Sequence, residues 1–114
     1  MYELIQRGEY LLTEDTIALY VPSQPGVFVL SIRLVSGAQQ AFFSGQSENL
    51  QRTLRECVLK DPTRFTEEVF EYLLRYQCYY SFFVVPEPVY RDEIEKMVRT
   101  TIDPFQKLLI LNCN

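Results

Sequence analysis

A nearly continuous apolar and aromatic run extends from Cys78 to Val85 and is closed by Pro86-Glu87-Pro88. Eight residues are short for a helix, and a run without polar alternation is typical of a strand that is covered on both faces. Such a segment has to lie inside a sheet, because neither of its faces can be left in water. The run therefore predicts a buried central strand.

A β-hairpin precedes this run along the chain. Residues Gly26 to Leu34 are rich in β-branched and aromatic side chains, which favour extended structure. Ser36-Gly37 is typical of a turn, and Gln39 to Ser44 follows as the returning strand, which Gly45 closes. Together with the run at 78–85, the hairpin predicts a small three-stranded, mainly antiparallel sheet.

Four segments carry the apolar spacing or the end signals of helices. Thr13 is expected to cap a short helix that ends before Pro22, and Ser47 to cap a second helix that runs to about residue 60. A third helix is predicted from Asp61-Pro62, and a fourth from about residues 89–92 to just before Asp103. The inner side of the fourth helix is expected to consist of Ile94, Met97, Val98 and Thr101. Residues 2–12 are mixed in character, and both a strand and a short helix remain open there.

The length of 114 residues, of which 47% are hydrophobic, suits one folded domain with one core. We therefore predict a single α/β (α+β) domain over residues 1–114, with its core at about 13–104 and with helices flanking the sheet. No apolar run is long enough to span a bilayer, and the first residues lack the layout of a signal peptide. A cytoplasmic protein without membrane contact is expected.

The sequence contains no histidine. This absence excludes a histidine general base, a Ser-His or Cys-His nucleophile and most zinc sites. Catalysis would therefore depend on carboxylate, tyrosine, lysine, arginine or a hard metal held by oxygen. The net charge of −4 and the pI of about 4.8 disfavour nucleic acid as a partner, because duplex-binding domains usually carry a basic surplus.

Four segments, taken in order, resemble the GIY-YIG nuclease family. Pro25-Gly26-Val27-Phe28 stands where the family's first signature triplet is expected, and Phe43-Ser44-Gly45 stands where the second is expected. The run from Gln46 to Leu54 is similar to the start of the family's next helix, and the run from Glu95 to Pro104 is similar to its later glutamate-to-proline stretch. The resemblance covers about residues 13–104 and implies the fold of a GIY-YIG nuclease.

The resemblance implies a site at Phe28, Phe43, Thr53 and Glu95, and three of these four positions depart from the family's chemistry. Phe28 and Phe43 stand where the family has tyrosines, and a phenyl ring neither accepts nor donates a proton. Thr53 falls where the catalytic arginine is expected, and Arg52, one residue earlier, is the candidate substitute cation. Glu95 is retained in kind and is the candidate metal ligand.

Each of these residues also has an ordinary structural explanation. Glu95 lies four residues before Arg99 and four after Arg91, the spacing of surface ion pairs on a helix. Phe28 and Phe43 would simply pack in the core, and Arg52 would lie on a solvated helix face. The burial and the contacts of these side chains therefore have to show whether each one belongs to a functional site or only stabilises the fold.

Three hypotheses for the function remain open. The preferred one is a GIY-YIG-like domain with a degenerate active site, which serves as a non-catalytic binding or interaction module and needs no cofactor. The second is a divergent Mg²⁺-dependent DNA endonuclease that uses Glu95 and Arg52. The third is an unrelated α+β protein-interaction domain that self-associates through its Leu108–Leu111 tail. The first and third hypotheses imply a protein partner or a second copy of the chain.

Overall fold

The computed structural model of the protein describes residues 5–59 and 66–101. The elements in this part are β1 (Arg7–Leu11), α1 (Glu14–Tyr20), β2 (Gly26–Arg33), β3 (Gln39–Ser47), α2 (Leu50–Leu59), α3 (Glu67–Arg75), β4 (Cys78–Val84) and α4 (Pro88–Thr101). The strands form one antiparallel sheet in the order β1-β4-β2-β3. The predicted α/β class, hairpin and flanking helices are confirmed.

The prediction of a three-stranded sheet is wrong, because part of the segment 2–12 supplies a fourth strand. β1 pairs with β4 so that Arg7 lies opposite Phe82 and Leu11 lies opposite Tyr79. The first three residues of β1 are exposed, so no apolar alternation marks this strand in the sequence. Its backbone groups are satisfied by a strand far along the chain, and that pairing makes the segment extended.

Side chains alternate across the sheet and form an apolar layer on each face. The larger layer is covered by α1, α2 and α3; its buried residues from the two central strands are Phe28, Leu30, Ile32, Cys78, Tyr80 and Phe82. In the smaller layer, Val27 and Val85 pack with Ile94 of α4. The run at 78–85 thus lies between β1 and β2 with both faces covered, as predicted.

The predicted N-terminal cap is confirmed for one helix and wrong for another. Thr13 caps α1 as predicted, because its Oγ1 accepts the N–H of Thr16 at 3.2 Å. The predicted cap at Ser47 is wrong, since Ser47 is the last residue of β3. The side-chain oxygen of Asn49 accepts the N–H of Arg52 at 3.0 Å instead. Ser47 Oγ supports this turn by accepting the N–H of Asn49 at 2.9 Å.

The third helix begins later than predicted. Thr66 is extended, and its Oγ1 accepts the N–H of Val69 at 3.4 Å, so α3 starts at Glu67. The predicted start at Asp61-Pro62 and the Leu108–Leu111 tail lie outside the described residues. None of the helices in the described part combines the length and the apolarity that a bilayer crossing requires.

Candidate functional site

Phe28 and Phe43 come together on the face of the sheet that α2 covers. In the β2–β3 ladder, Phe28 lies opposite Gly45, and Phe43 lies opposite Leu30. The two ring centroids are 6.0 Å apart and the ring planes are tilted by 47°, which is the geometry of a packed aromatic pair. Phe28 is 3% exposed, whereas Phe43 is partly buried. The two aromatic positions of the resemblance are therefore neighbours in space.

Gly45 makes room for the ring of Phe28. A Cβ atom at position 45 would lie 2.9 Å from Cζ of Phe28 and 3.4 Å from Cε2 of Phe43. The tip of the Phe28 ring, where a tyrosine would carry its hydroxyl, is thus packed over the backbone of β3. This contact favours a ring without an oxygen at position 28.

We expect Phe28→Tyr to lower the free energy of unfolding by about 1–3 kcal/mol, because the added oxygen has to enter a packed position. Phe43→Tyr is the matched control, since its ring is partly exposed, and its effect is expected to stay within about 0.5 kcal/mol. Urea denaturation of both variants measures the difference. Equal effects would mean that position 28 still has room for a hydroxyl.

Thr53 lies on α2, and its hydroxyl oxygen is 2.6 Å from Oγ of Ser47. Ser47 is itself buried at the end of β3. Its backbone carbonyl accepts a hydrogen bond from Nη1 of Arg91 on α4, at 3.2 Å. Ser47 therefore links position 53 to α4, and it brings a guanidinium close to the place where the resemblance implies an arginine.

Arg52 lies on the solvent side of α2. Its side chain is exposed, as is that of Arg55, whose Nη2 lies 3.9 Å from Oε1 of Glu14 in a loose surface ion pair. Position 52 differs from position 53 by about 100° around the helix. Arg52 thus lies on the exposed face of α2, although Thr53 is the next residue in the sequence. The role of Arg52 as a substitute cation stays a prediction.

Glu95 is buried on α4, with 4% of its surface exposed. Its carboxylate accepts a hydrogen bond from Nη2 of Arg99, four residues later. This hydrogen bond raises the pKa of the Arg99 guanidinium. The helical ion pair is confirmed, but the expectation that Glu95 lies on the surface is wrong. Asp92, one turn earlier, is exposed and accepts a hydrogen bond from Nε2 of Gln46 at 2.6 Å.

The predicted inner side of α4 is partly wrong. Met97 is 63% exposed, whereas Arg91, Ile94 and Glu95 are buried, and Val98 is partly buried. The inner positions follow the i, i+3, i+4, i+7 spacing of a packed helix face. Two of the four carry charged side chains, so a search for apolar periodicity assigns them to the solvent side. Arg91 is the residue near the site that sequence reasoning missed for this reason.

Two grooves in the described part of the chain lie away from these positions. The larger groove, of about 540 Å³, is lined by the end of β1, the start of α1 and the segment around Tyr76. The smaller one, of about 270 Å³, lies near Arg33 and Tyr79. Neither is lined by Phe28, Phe43, Thr53 or Glu95, so these two grooves do not contribute to the candidate site.

Comparison with known proteins identifies the fold. No protein-family model matches the sequence, and no curated protein matches it. The fold matches the crystal structure of the GIY-YIG N-terminal endonuclease domain of UvrC from Thermotoga maritima, a tyrosine-to-phenylalanine point mutant bound to its catalytic divalent cation. The match has a TM-score of 0.57 and 20% sequence identity, and it covers 82% of this chain and 93% of that chain. This protein has a GIY-YIG-like fold.

The resemblance to the GIY-YIG nuclease family is therefore confirmed at the level of the fold. The hypothesis of a domain with an unrelated α+β fold is wrong. The four positions named for the GIY-YIG-like site keep the status of a prediction, because an identity of 20% establishes the fold alone.

Proposed function

We propose that this GIY-YIG-like domain is a binding module that does not cleave phosphodiesters. The observation that carries the proposal is the contact between the rings of Phe28 and Phe43, 6.0 Å apart, at the positions where the resemblance implies tyrosines. Neither ring can accept or donate a proton. A general acid–base step therefore has no carrier at this pair.

The hydrogen bonding around Thr53 supports the same proposal. Its hydroxyl is engaged with Ser47, and it offers no positive charge to a developing phosphorane. Loss of one preorganised electrostatic contact of this kind lowers a reaction rate by about 10²–10³. Arg91 is nearby, but it is buried and donates to a main-chain carbonyl. We infer that a side chain for charge stabilisation and a side chain for proton transfer are both missing.

The carboxylates fit a divalent cation poorly. The UvrC domain in the matching structure is a tyrosine-to-phenylalanine mutant that is bound to its cation, so a missing hydroxyl by itself is no objection to a metal. The objection is that the carboxylate of Glu95 is paired with Arg99, and a cation would have to displace that guanidinium. The described residues contain no group of three His, Cys, Asp or Glu side chains able to hold a metal.

A nicking assay tests the proposal. We expect the purified chain to leave supercoiled plasmid DNA and branched DNA uncut in the presence of Mg²⁺ or of Mn²⁺, because proton transfer and charge stabilisation both lack a side chain. An active GIY-YIG endonuclease domain at the same concentration serves as the positive control. Gel electrophoresis over a time course measures the outcome.

The rival hypothesis of a divergent endonuclease predicts the opposite result in the same assay. The variant Glu95→Gln removes the retained carboxylate charge while keeping the shape of this buried side chain, and circular dichroism establishes that it is folded. Nicking that requires a divalent cation and disappears in Glu95→Gln would overturn the proposal. Nicking that persists in the folded variant would contradict the use of Glu95, and its elution together with the chain or apart from it would distinguish the chain from a contaminating nuclease.

A binding role requires a partner. A protein partner or a second copy of the chain remains our proposal, and the Leu108–Leu111 tail is the candidate contact for self-association. Light scattering on the chain before and after removal of residues 106–114 distinguishes a tail-mediated dimer from a monomer. The acidic composition, with a net charge of −4, supports such a partner over a tightly held nucleic-acid duplex.

A further inference from the structure

Arg91 is a buried cation that is only partly hydrogen-bonded to the described residues. It is 7% exposed, although an arginine offers five N–H donors. Nη1 donates to the carbonyl of Ser47 at 3.2 Å, and Nε is buried without a hydrogen-bond partner among the described residues. Burying a guanidinium is unfavourable unless it is paired. An arginine in this state is suited to receive an anion.

The neighbouring carboxylates on α4 do not neutralise this charge. Glu95 is paired with Arg99, and Asp92 accepts the amide of Gln46. Within residues 5–59 and 66–101, Arg91 takes part in no ion pair. In the described part of the chain, no carboxylate oxygen therefore lies within 4.0 Å of the Arg91 guanidinium.

The surroundings of Arg91 add further groups that favour an anion. Arg91 lies in the first turn of α4, a helix of 14 residues, and the N-terminal end of a helix carries a partial positive charge. The hydroxyls of Ser47 and Thr53 hydrogen-bond to each other next to the carbonyl that Arg91 contacts. This contact uses one of the two hydroxyl hydrogens, and the other has no hydrogen-bond acceptor among the described residues.

We propose that Arg91, with the Ser47–Thr53 hydroxyl pair beside it, binds a phosphate group. A guanidinium matches the spacing of phosphate oxygens in a two-pronged contact, and a tetrahedral phosphate has further oxygens for the hydroxyl. The inference rests on the proposed binding function and gives the domain a phosphate ligand in addition to the proposed protein partner. It assigns ligand contact to a residue of α4 and not to Phe28, Phe43 or Arg52.

The test observes Arg91 directly in the full chain. The Nε–H signal of Arg91 is recorded by ¹⁵N NMR and assigned through its loss in Arg91→Lys. We expect sodium phosphate to shift this signal in a saturable way, while sodium chloride at equal ionic strength leaves it in place. An Arg91 signal that phosphate does not move would overturn the inference. If Arg91→Lys fails to fold, the Nε–H signal is assigned in the unmodified chain through its bond-by-bond correlation with the other side-chain nuclei of Arg91.

Two variants test whether phosphate binding depends specifically on Arg91. Arg91→Lys keeps the charge and loses the two-pronged contact, and we expect it to weaken phosphate binding by about tenfold to a hundredfold, measured on the backbone amides of Ser47 and Thr53. Arg75→Lys is the charge-matched control, because Arg75 is exposed on α3 and paired with Glu71. An equal loss in Arg75→Lys would overturn the inference in favour of nonspecific attraction. Saturation by sodium acetate at the same concentrations would overturn the choice of phosphate.

Two sources of the phosphate group are separated by a second titration. A short thymidine oligomer with ordinary phosphodiester linkages is compared with the same oligomer carrying uncharged methylphosphonate linkages. An Arg91 shift with the first oligomer alone supports a polynucleotide backbone as the source. A shift with inorganic phosphate and with neither oligomer supports a free phosphate or a phosphate monoester. Nicking sensitive to Glu95→Gln would overturn the non-catalytic proposal whatever these titrations give, so failure of that proposal and failure of the phosphate inference are distinguishable.

Discussion

Gly26→Ala is expected to lower the free energy of unfolding by about 3 kcal/mol or more. Gly26 lies on a central strand, opposite Ser47 of β3 and Val84 of β4. A Cβ atom there would be 2.0 Å from the carbonyl oxygen of Phe83 and 2.6 Å from Cδ1 of Leu50. A leucine side chain can rotate away, but the backbone oxygen can move only if β2 and β4 separate. The substitution should therefore disrupt the sheet and not merely crowd it.

Gly37→Ala is the control for this prediction. A Cβ atom at Gly37 would meet nothing within 4 Å, and the residue has a φ of +93°, so its substitution introduces backbone strain of about 1 kcal/mol without a clash. Urea denaturation of both variants gives the two free energies. An effect of Gly26→Ala no larger than that of Gly37→Ala would contradict the close approach of β2 and β4.

Leu54→Ala is the second substitution with a large expected effect, a loss of about 2–5 kcal/mol in the free energy of unfolding. Leu54 is fully buried in the larger apolar layer, where α2 meets α1 and the sheet. Removing its side chain leaves a cavity that the surrounding core can fill only in part. Because Thr53 is the preceding residue on α2, the same packing also holds position 53 beside Ser47.

Leu74→Ala provides the matched comparison. Leu74 is also a helical leucine, but it is 53% exposed on α3, so we expect its substitution to change stability by about 0.5 kcal/mol or less. Thermal and urea unfolding of the two variants under identical conditions measure the contrast. Comparable losses at the two positions would mean that α2 is not packed against the sheet as described.

The residues that match the GIY-YIG nuclease family and the residues that depart from it lie at different kinds of position. Gly26 permits the approach of β4, and Gly45 lies under the ring of Phe28. Leu50 and Leu54 are fully buried in the core. These matching residues all support the fold, whereas the departures fall at positions to which the resemblance assigns chemistry. This division supports our proposal that the domain binds a partner and does not cleave phosphodiesters.

Local sequence patterns predicted the elements whose structure depends on residues close together in the chain. The run at 78–85 is apolar on both faces and forms an inner strand, and Thr13 caps α1 through a contact with its own helix. β1 could not be predicted in this way, because its exposed residues are extended only through pairing with β4. The cap of α2 was misplaced for a related reason, since β3 continues to Ser47 while it is paired with Gly26.

The same distinction between local and long-range information applies to the candidate site. The sequence by itself determined which chemical groups are present: phenylalanine has no hydroxyl and threonine has no charge, whatever surrounds them. Only the tertiary structure decided that Glu95 is paired inside the protein and that the guanidinium of Arg91 is buried against Ser47. The composition of a side chain is a property of one residue, whereas its burial and its partners depend on elements that meet from distant parts of the chain.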